Sequence, residues 1–385
     1  MMKSITPLLP FWAIAFSNVT AHAQTSGLKV LEYRPAPGQF VNTLPEFADG
    51  DTYDDQLRRC EEQLQDGLPV HLGACGGYIT VSLGAPVQNG RGSDLRILGN
   101  AFYSDSDPAY GAATIGGSVE PGTVWAGVGA SPETAEWYEL AGSEYYTTER
   151  HNLQITYYRP EAETGDHSLP FSTCDRYIRF TAKWTEPDGT ERDSTGYMMK
   201  NAFHSQSYWP EWIDGSEMTF HGSRLPDNAV NYGGTGQDGD KAQYWVLYRY
   251  AKDSYGYADA APNSDNVYTT FDLDWAVDRQ GNPVLLDHAD FIRIQTGVLQ
   301  QCGWIGETST EVCSVENLHL QPGYDDNPTV ITPRQRPTTI SGITGGSVAR
   351  ETSRYAADGT RLAGPRRGMN IVKYDDGTVR KVMVR

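Results

Sequence analysis

Nine short runs of β-branched and aromatic residues constrain this chain more than any motif it carries: Gly77–Leu83, Leu95–Phe102, Thr123–Val128, Glu136–Leu140, Leu153–Tyr158, Tyr177–Trp184, Tyr244–Tyr250, Thr270–Val277 and Phe291–Thr296. Each is bounded by Gly, Pro, Asn or Asp, which is how strands are punctuated. Gly77–Leu83 alternates, with Tyr78, Thr80 and Ser82 on one face and Ile79, Val81 and Leu83 on the other. One helix is predicted. Asp51 or Thr52 can cap it, Leu57, Cys60 and Leu64 recur at helical spacing, and Gly67 can end it. Many strands with hardly a helix between them predict an all-β fold. The expected architecture is an antiparallel β-sandwich, jelly-roll-like, with one N-terminal helix and a small C-terminal β-module.

The ends read differently from the middle. Residues 1–23 place Lys3 before an apolar run and close on Ala21-His22-Ala23, the pattern of a cleaved signal peptide. Residues 24–320 are expected to form the body. Residues 321–347, rich in Pro, Thr and Gly, read as a linker, and residues 348–385 as a β-module with Asp376-Gly377 at a hairpin turn. The two ends together predict a secreted or outer-surface location, and no later apolar stretch is long enough for a membrane span.

Charge excludes one class of partner. The chain carries −18, and from Arg350 onward nine Lys/Arg face four Asp/Glu, so the acid excess sits in the body. Such a body repels phosphate backbones, and no nucleic acid is expected as a partner. Five cysteines lie beyond residue 23; Cys302 and Cys313 bracket a short loop and are the expected disulfide, with Cys60–Cys75 a second pairing and Cys174 left over.

Several catalytic signatures are absent: H-E-x-x-H, G-x-S-x-G, a Walker loop and an EF-hand loop. Gly234 to Gly239 matches G-x-G-x-x-G, but no strand precedes it and no helix follows, so it reads as coincidence. Strand alternation over Phe271 to Asp278 puts Asp272, Asp274 and Asp278 on one face, and Asp259, Asn263 and Asp265 lie upstream. Asp259, Asn263, Asp265, Asp272 and Asp274 are therefore the candidate ligands for Ca²⁺, which takes six to eight oxygens. The alternative is a solvent-facing strand edge paired with Arg or Lys. Tyr208, Trp209, Trp212, Tyr255 and Tyr257 are the candidate ligand-binding rings, since flat rings on a sandwich can grip sugar faces; the alternative is that they belong to the core. His204 and His221 read as structural.

Eight segments recur in order over roughly residues 35–320. Among them are Ile97-Leu-Gly-Asn-Ala-Phe-Tyr103, Glu136-Trp-Tyr-Glu-Leu-Ala-Gly-Ser-Glu144, His204-Ser-Gln-Ser-Tyr-Trp-Pro210 and Gly303-Trp-Ile-Gly-Glu-Thr-Ser-Thr-Glu311. Together they resemble a family of secreted Bacteroidota cell-surface proteins, and the tail is similar to the type IX secretion sorting tails of such proteins. The resemblance implies a surface β-sandwich accessory to outer-membrane nutrient uptake. The expected function is non-catalytic capture of a glycan or a cobalamin-like nutrient, with an outer-membrane transporter as a partner. The alternatives are a glycan-cleaving hydrolase using acidic loop residues and a structural or adhesive surface protein. Where relatives carry an Asp/Asn-rich insert before the Trp-Tyr-Glu motif, this chain has Gly129 to Ala135.

Overall fold

The computed structural model describes residues 27–105, 107, 109–110, 114–161, 174–201, 204, 206–233, 245–333, 351–356, 360–362, 364–374 and 379–384. The expected leader, the Asp376-Gly377 turn and most of the linker lie outside the described residues. The chain divides into two units, Met1–Arg334 and Gln335–Arg385.

The larger unit is an antiparallel β structure. Its main sheet has six strands in the order Leu28–Arg34, Tyr78–Leu83, Phe291–Thr296, Gly122–Val128, Glu136–Leu140 and Ala276–Val277. A second sheet has four, ordered Glu191–Asn201, Cys174–Thr185, Arg150–Tyr158 and Glu217–Arg224. Alternation decides what each face meets. Ile79, Val81, Ile292, Ile294, Val124 and Ala126 turn inward and pack with Cys60 and Leu64 of the helix. The second sheet contributes Leu153, Ile155, Phe180 and Phe220 to a separate core. The two sheets meet where Gln295 Nε2 donates to His221 O at 3.0 Å and to Gly76 O at 2.7 Å.

The helix is Tyr53–Asp66 and its ends are the expected ones. Thr52 Oγ1 accepts from Asp55 N while Asp55 Oδ2 accepts from Thr52 N, a reciprocal capping box. Gly67 closes it at φ 70°, the left-handed conformation that glycine adopts without a Cβ penalty.

Three expectations need correction. The run Thr270–Val277 is not one strand: Thr270–Phe271 and Ala276–Val277 are extended, and a 3-10 helix, Leu273–Trp275, lies between them. Asp272 causes the break by capping that turn, its Oδ1 accepting from Asp274 N at 2.8 Å. Cys302 and Cys313 are buried free thiols, as are Cys60 and Cys75. The loop after Cys302 closes through its own backbone, Cys302 N to Gly306 O at 2.8 Å, while Cys313 N is held by Leu98 O at 2.7 Å. The third concerns the chain after residue 320, where Tyr324 OH donates to Ser93 O and Ile331 packs on the main core, so 321–333 continues the body.

The smaller unit is a four-stranded antiparallel sheet ordered Arg361–Leu362, Glu351–Ala356, Gly368–Tyr374 and Val379–Val384. Val372, buried together with Arg354 and Asn370, gives it a minimal core.

Candidate functional site

Burial moves the candidate ring site. Tyr208 and Trp209 are 0 % and 1 % exposed and belong to the core of the second sheet. Tyr257 is buried, its hydroxyl donating toward Glu149 and accepting from Glu144 N. Tyr255 is buried against Trp275, 4.9 Å between ring centroids, with one edge on a cleft shared with Val267, Tyr268 and Val330. Trp212 is half-buried and stacked on Tyr33 at 5.6 Å. These rings fill interior volume and do not form one platform.

The expected calcium ligands are likewise dispersed into local hydrogen bonds. Asn263 exchanges both amide bonds with Gly99, and Asp265 Oδ1 accepts from Val267 N and Tyr268 N. Asp274 Oδ1 accepts from Asn89 Nδ2, and Asp272 caps the 3-10 turn. Asp259 alone joins an acidic cluster, and its companions are other residues, Glu120 and Glu311.

A different set of aromatic residues shares one solvent-reaching face. On the six-stranded sheet, Glu32, Thr80, Arg293 and Trp125 stand directly opposite one another on neighbouring strands, and Glu139 continues the row. Because side chains repeat every two residues along a strand, Tyr78 and Trp137 point the same way. The Arg293 guanidinium lies 4.0 Å from the Trp137 ring and 4.4 Å from the Tyr78 ring, within cation–π range. It donates to Glu32 Oε2 at 2.7 Å and to Thr80 Oγ1 at 3.0 Å, which fixes the fork in place. Gly127 makes the arrangement possible: a Cβ there would fall 2.8 Å from Cζ3 of Trp137, so the indole occupies the space of the missing side chain. Trp137 Nε1 is tied to Pro132 O and Trp125 Nε1 to Thr123 Oγ1. Tyr78, Trp125, Trp137 and Arg293 are all half-buried, so the set is held by the sheet and still reaches solvent.

At the covered end of this row Glu139 and Glu149 are buried and share a hydrogen bond, with Ser223 Oγ donating to Glu139 Oε2 at 2.7 Å. Burial raises Glu139 to about 7, and burial plus the Glu139 charge hold Glu149 well above the usual carboxyl range. His151 Nδ1 lies 3.8 Å from Glu149 Oε1, and burial lowers its basicity.

This pair makes stability depend on pH. A carboxyl raised in the folded state binds its proton more tightly there than in the unfolded chain. The stability it contributes is complete below about pH 4.3 and is lost as pH rises through the folded value near 7. Thermal melts between about pH 5 and pH 7 are expected to fall in wild type and to flatten in Glu139→Gln, a difference of roughly 1–3 kcal/mol. Equal slopes in both proteins would contradict the assignment.

No family model and no curated protein matches this chain.

Trp125 and Trp137 are visible in the sequence only as strand residues; the alternation of Thr123–Val128 could have placed Trp125 outward. His71 and Glu120 carry no sequence signal of their own, and Glu307 and Glu311 stand out only as part of the Gly303–Glu311 segment, since a run such as Glu307-Thr-Ser-Thr-Glu311 normally reads as an exposed loop and here is buried.

Proposed function

We propose that this chain is an exported, non-catalytic glycan-binding protein of the cell surface, and that Tyr78, Trp125 and Trp137 around Arg293 are its contact face. The observation that carries the reading is the Arg293 guanidinium fixed between two half-buried rings on the six-stranded sheet. Aromatic faces match the C–H faces of sugars. A guanidinium and a carboxylate such as Glu32 supply directed donors and acceptors for hydroxyls. The ion pair with Glu32 orders Arg293 in advance, so little side-chain entropy remains to be lost on binding.

Binding is favoured over hydrolysis by the acid pair itself. Glu139 and Glu149 bring carboxyl oxygens within 4.8 Å of one another in a buried position, whereas glycosidase carboxyls stand about 5–10 Å apart to flank the bond they cleave. A cell-surface capture role would pass the ligand to an outer-membrane transporter.

A glycan array followed by calorimetric titration tests the reading. Trp137→Ala is expected to weaken the best ligand at least about tenfold while the protein stays folded, losing less than about 1.5 kcal/mol of stability. Unchanged affinity in Trp137→Ala would contradict the assigned face. A cobalamin signal without any glycan signal would overturn the ligand class, and product release from a glycan would overturn the non-catalytic reading.

A further inference from the structure

A second group of polar residues lies deep in the body, apart from the ring face. Glu307, Thr308, Ser309, Thr310 and Glu311 are consecutive and each at most 5 % exposed. The hydroxyls are satisfied: Thr308 Oγ1 accepts from Gln300 Nε2, and Thr310 Oγ1 donates to Glu120 O. The carboxylates are not. Glu307 Oε2 and Glu311 Oε2 are buried with no hydrogen-bond partner, and so is His71 Nε2, on a side chain 1 % exposed. Such atoms are costly to bury, and each asks for a partner.

Backbone pairing assembles the group. The short ladder Val70–His71 with Glu311–Val312 sets His71 opposite Glu311, and their Nδ1 and Oε1 atoms lie 2.6 Å apart. The bridge between Gly122 and Ala258 sets Glu120 beside Asp259, with Glu120 N donating to Asp259 O at 3.1 Å. Carboxylate oxygens of Glu120, Asp259 and Glu311 then lie within 4.8 Å of one another. Oxygens on opposite sides of one Ca²⁺ stand about 4.6–5.2 Å apart, and neighbouring ones closer, so these three fit around a single ion.

Charge points the same way. Among the described residues, the ion pairs made by Glu120, Asp259, Glu307 and Glu311 come from His71 alone. Four acidic side chains thus share a single basic partner. Asp259 accepts backbone N–H bonds from Asn100, Ala101 and Glu311 at 2.8, 2.8 and 3.0 Å, which hold its carboxyl group in place beside the other two. Gly99 permits this approach: a Cβ there would stand 2.2 Å from Asp259 Oδ1. His71 Nδ1 takes Glu311 Oε1, which leaves Glu311 Oε2 buried without a hydrogen-bond partner and open to an ion.

We propose that Glu120, Asp259 and Glu311 bind one divalent cation of the calcium type, with His71 as the positioning residue that orients Glu311. The ion supplies the missing positive charge and knits the 307–311 segment to the Gly122–Ala258 bridge. Its role is structural and separate from the ring face.

The test uses the full chain stripped with a chelator and titrated with Ca²⁺ alone, read by calorimetry and by thermal melting. The expected result is one ion per chain and a melting temperature higher by about 5 °C at a hundredfold excess over Kd. Glu120→Gln, which keeps the shape and removes one charge, is expected to melt no lower than wild type without metal and to bind at least tenfold more weakly. Glu139→Gln is expected to respond as wild type does. The proposal is overturned if Ca²⁺ produces neither heat nor a melting shift, or if Glu120→Gln responds as wild type. Loss of the response in Glu139→Gln alone would also overturn it, by moving the ion to the other acid pair.

Discussion

Gly73→Ala is expected to yield no folded protein. Gly73 sits at φ +71°, where any Cβ costs about 1–2 kcal/mol, and its Cβ would stand 1.9 Å from Ala36 O and 2.7 Å from Ala36 C. Neither side can yield. Ala36 N donates to Leu72 O at 3.0 Å, Ala74 N to Pro37 O at 3.1 Å, and Thr296 Oγ1 to Gly73 O at 2.9 Å. The contact joins two backbone segments beneath the main sheet, so relieving it means unpairing the chain around His71. Gly50→Ala is the matched control: its φ is +91°, but nothing lies within 4 Å of the added carbon, so only the conformational penalty applies. Soluble yield and circular dichroism separate the two. A Gly73→Ala protein that melts within a few degrees of wild type would refute the packing described for this segment.

The second large effect is Trp209→Ala, expected to cost about 3–5 kcal/mol in urea unfolding. Trp209 is 1 % exposed, packs with Tyr208 and the second sheet, and donates its Nε1 toward Ile213 O. Truncation leaves a large cavity walled by side chains that strand pairing holds in place. Trp137→Ala is expected to cost less than about 1.5 kcal/mol, because its ring lies on the sheet and reaches solvent. Two tryptophans of equal size thus separate a structural role from a binding one. A Trp209→Ala protein as stable as wild type would mean that this ring is not core.

Those two residues also show how far the sequence can be read. The helix was legible down to its caps, because Thr52 and Gly67 act through local geometry that the sequence spells out. Glu136–Leu140 and Phe291–Thr296 appear with the expected bounds, since each is short, dense in β-formers and bounded by turn residues. Glu191–Asn201 escaped notice because it is a polar strand at the sheet edge, where pairing with Cys174–Thr185 and not its own composition makes it extended. The site was less legible than the fold. Tyr208 and Trp209 sit in a Pro-bounded, polar stretch that resembles a surface loop, yet Asn42 Nδ2 donates to both Ser207 O and Trp209 O and draws it inward. Arg293 meets Trp137 across more than 150 residues of chain, and only strand order creates that contact. Periodicity gives the face of a residue; it does not give its neighbours across a sheet.

On the proposed reading the rings around Arg293 meet the ligand while the Tyr208–Trp212 segment does not. Indole N–H resonances, assigned by single Trp→Phe replacements, test this directly during titration with the best glycan from the array. The Trp125 and Trp137 signals are expected to move and saturate together while those of Trp209, Trp212 and Trp275 stay still. Movement confined to Trp212, or a full glycan panel that moves no indole signal, would contradict that reading.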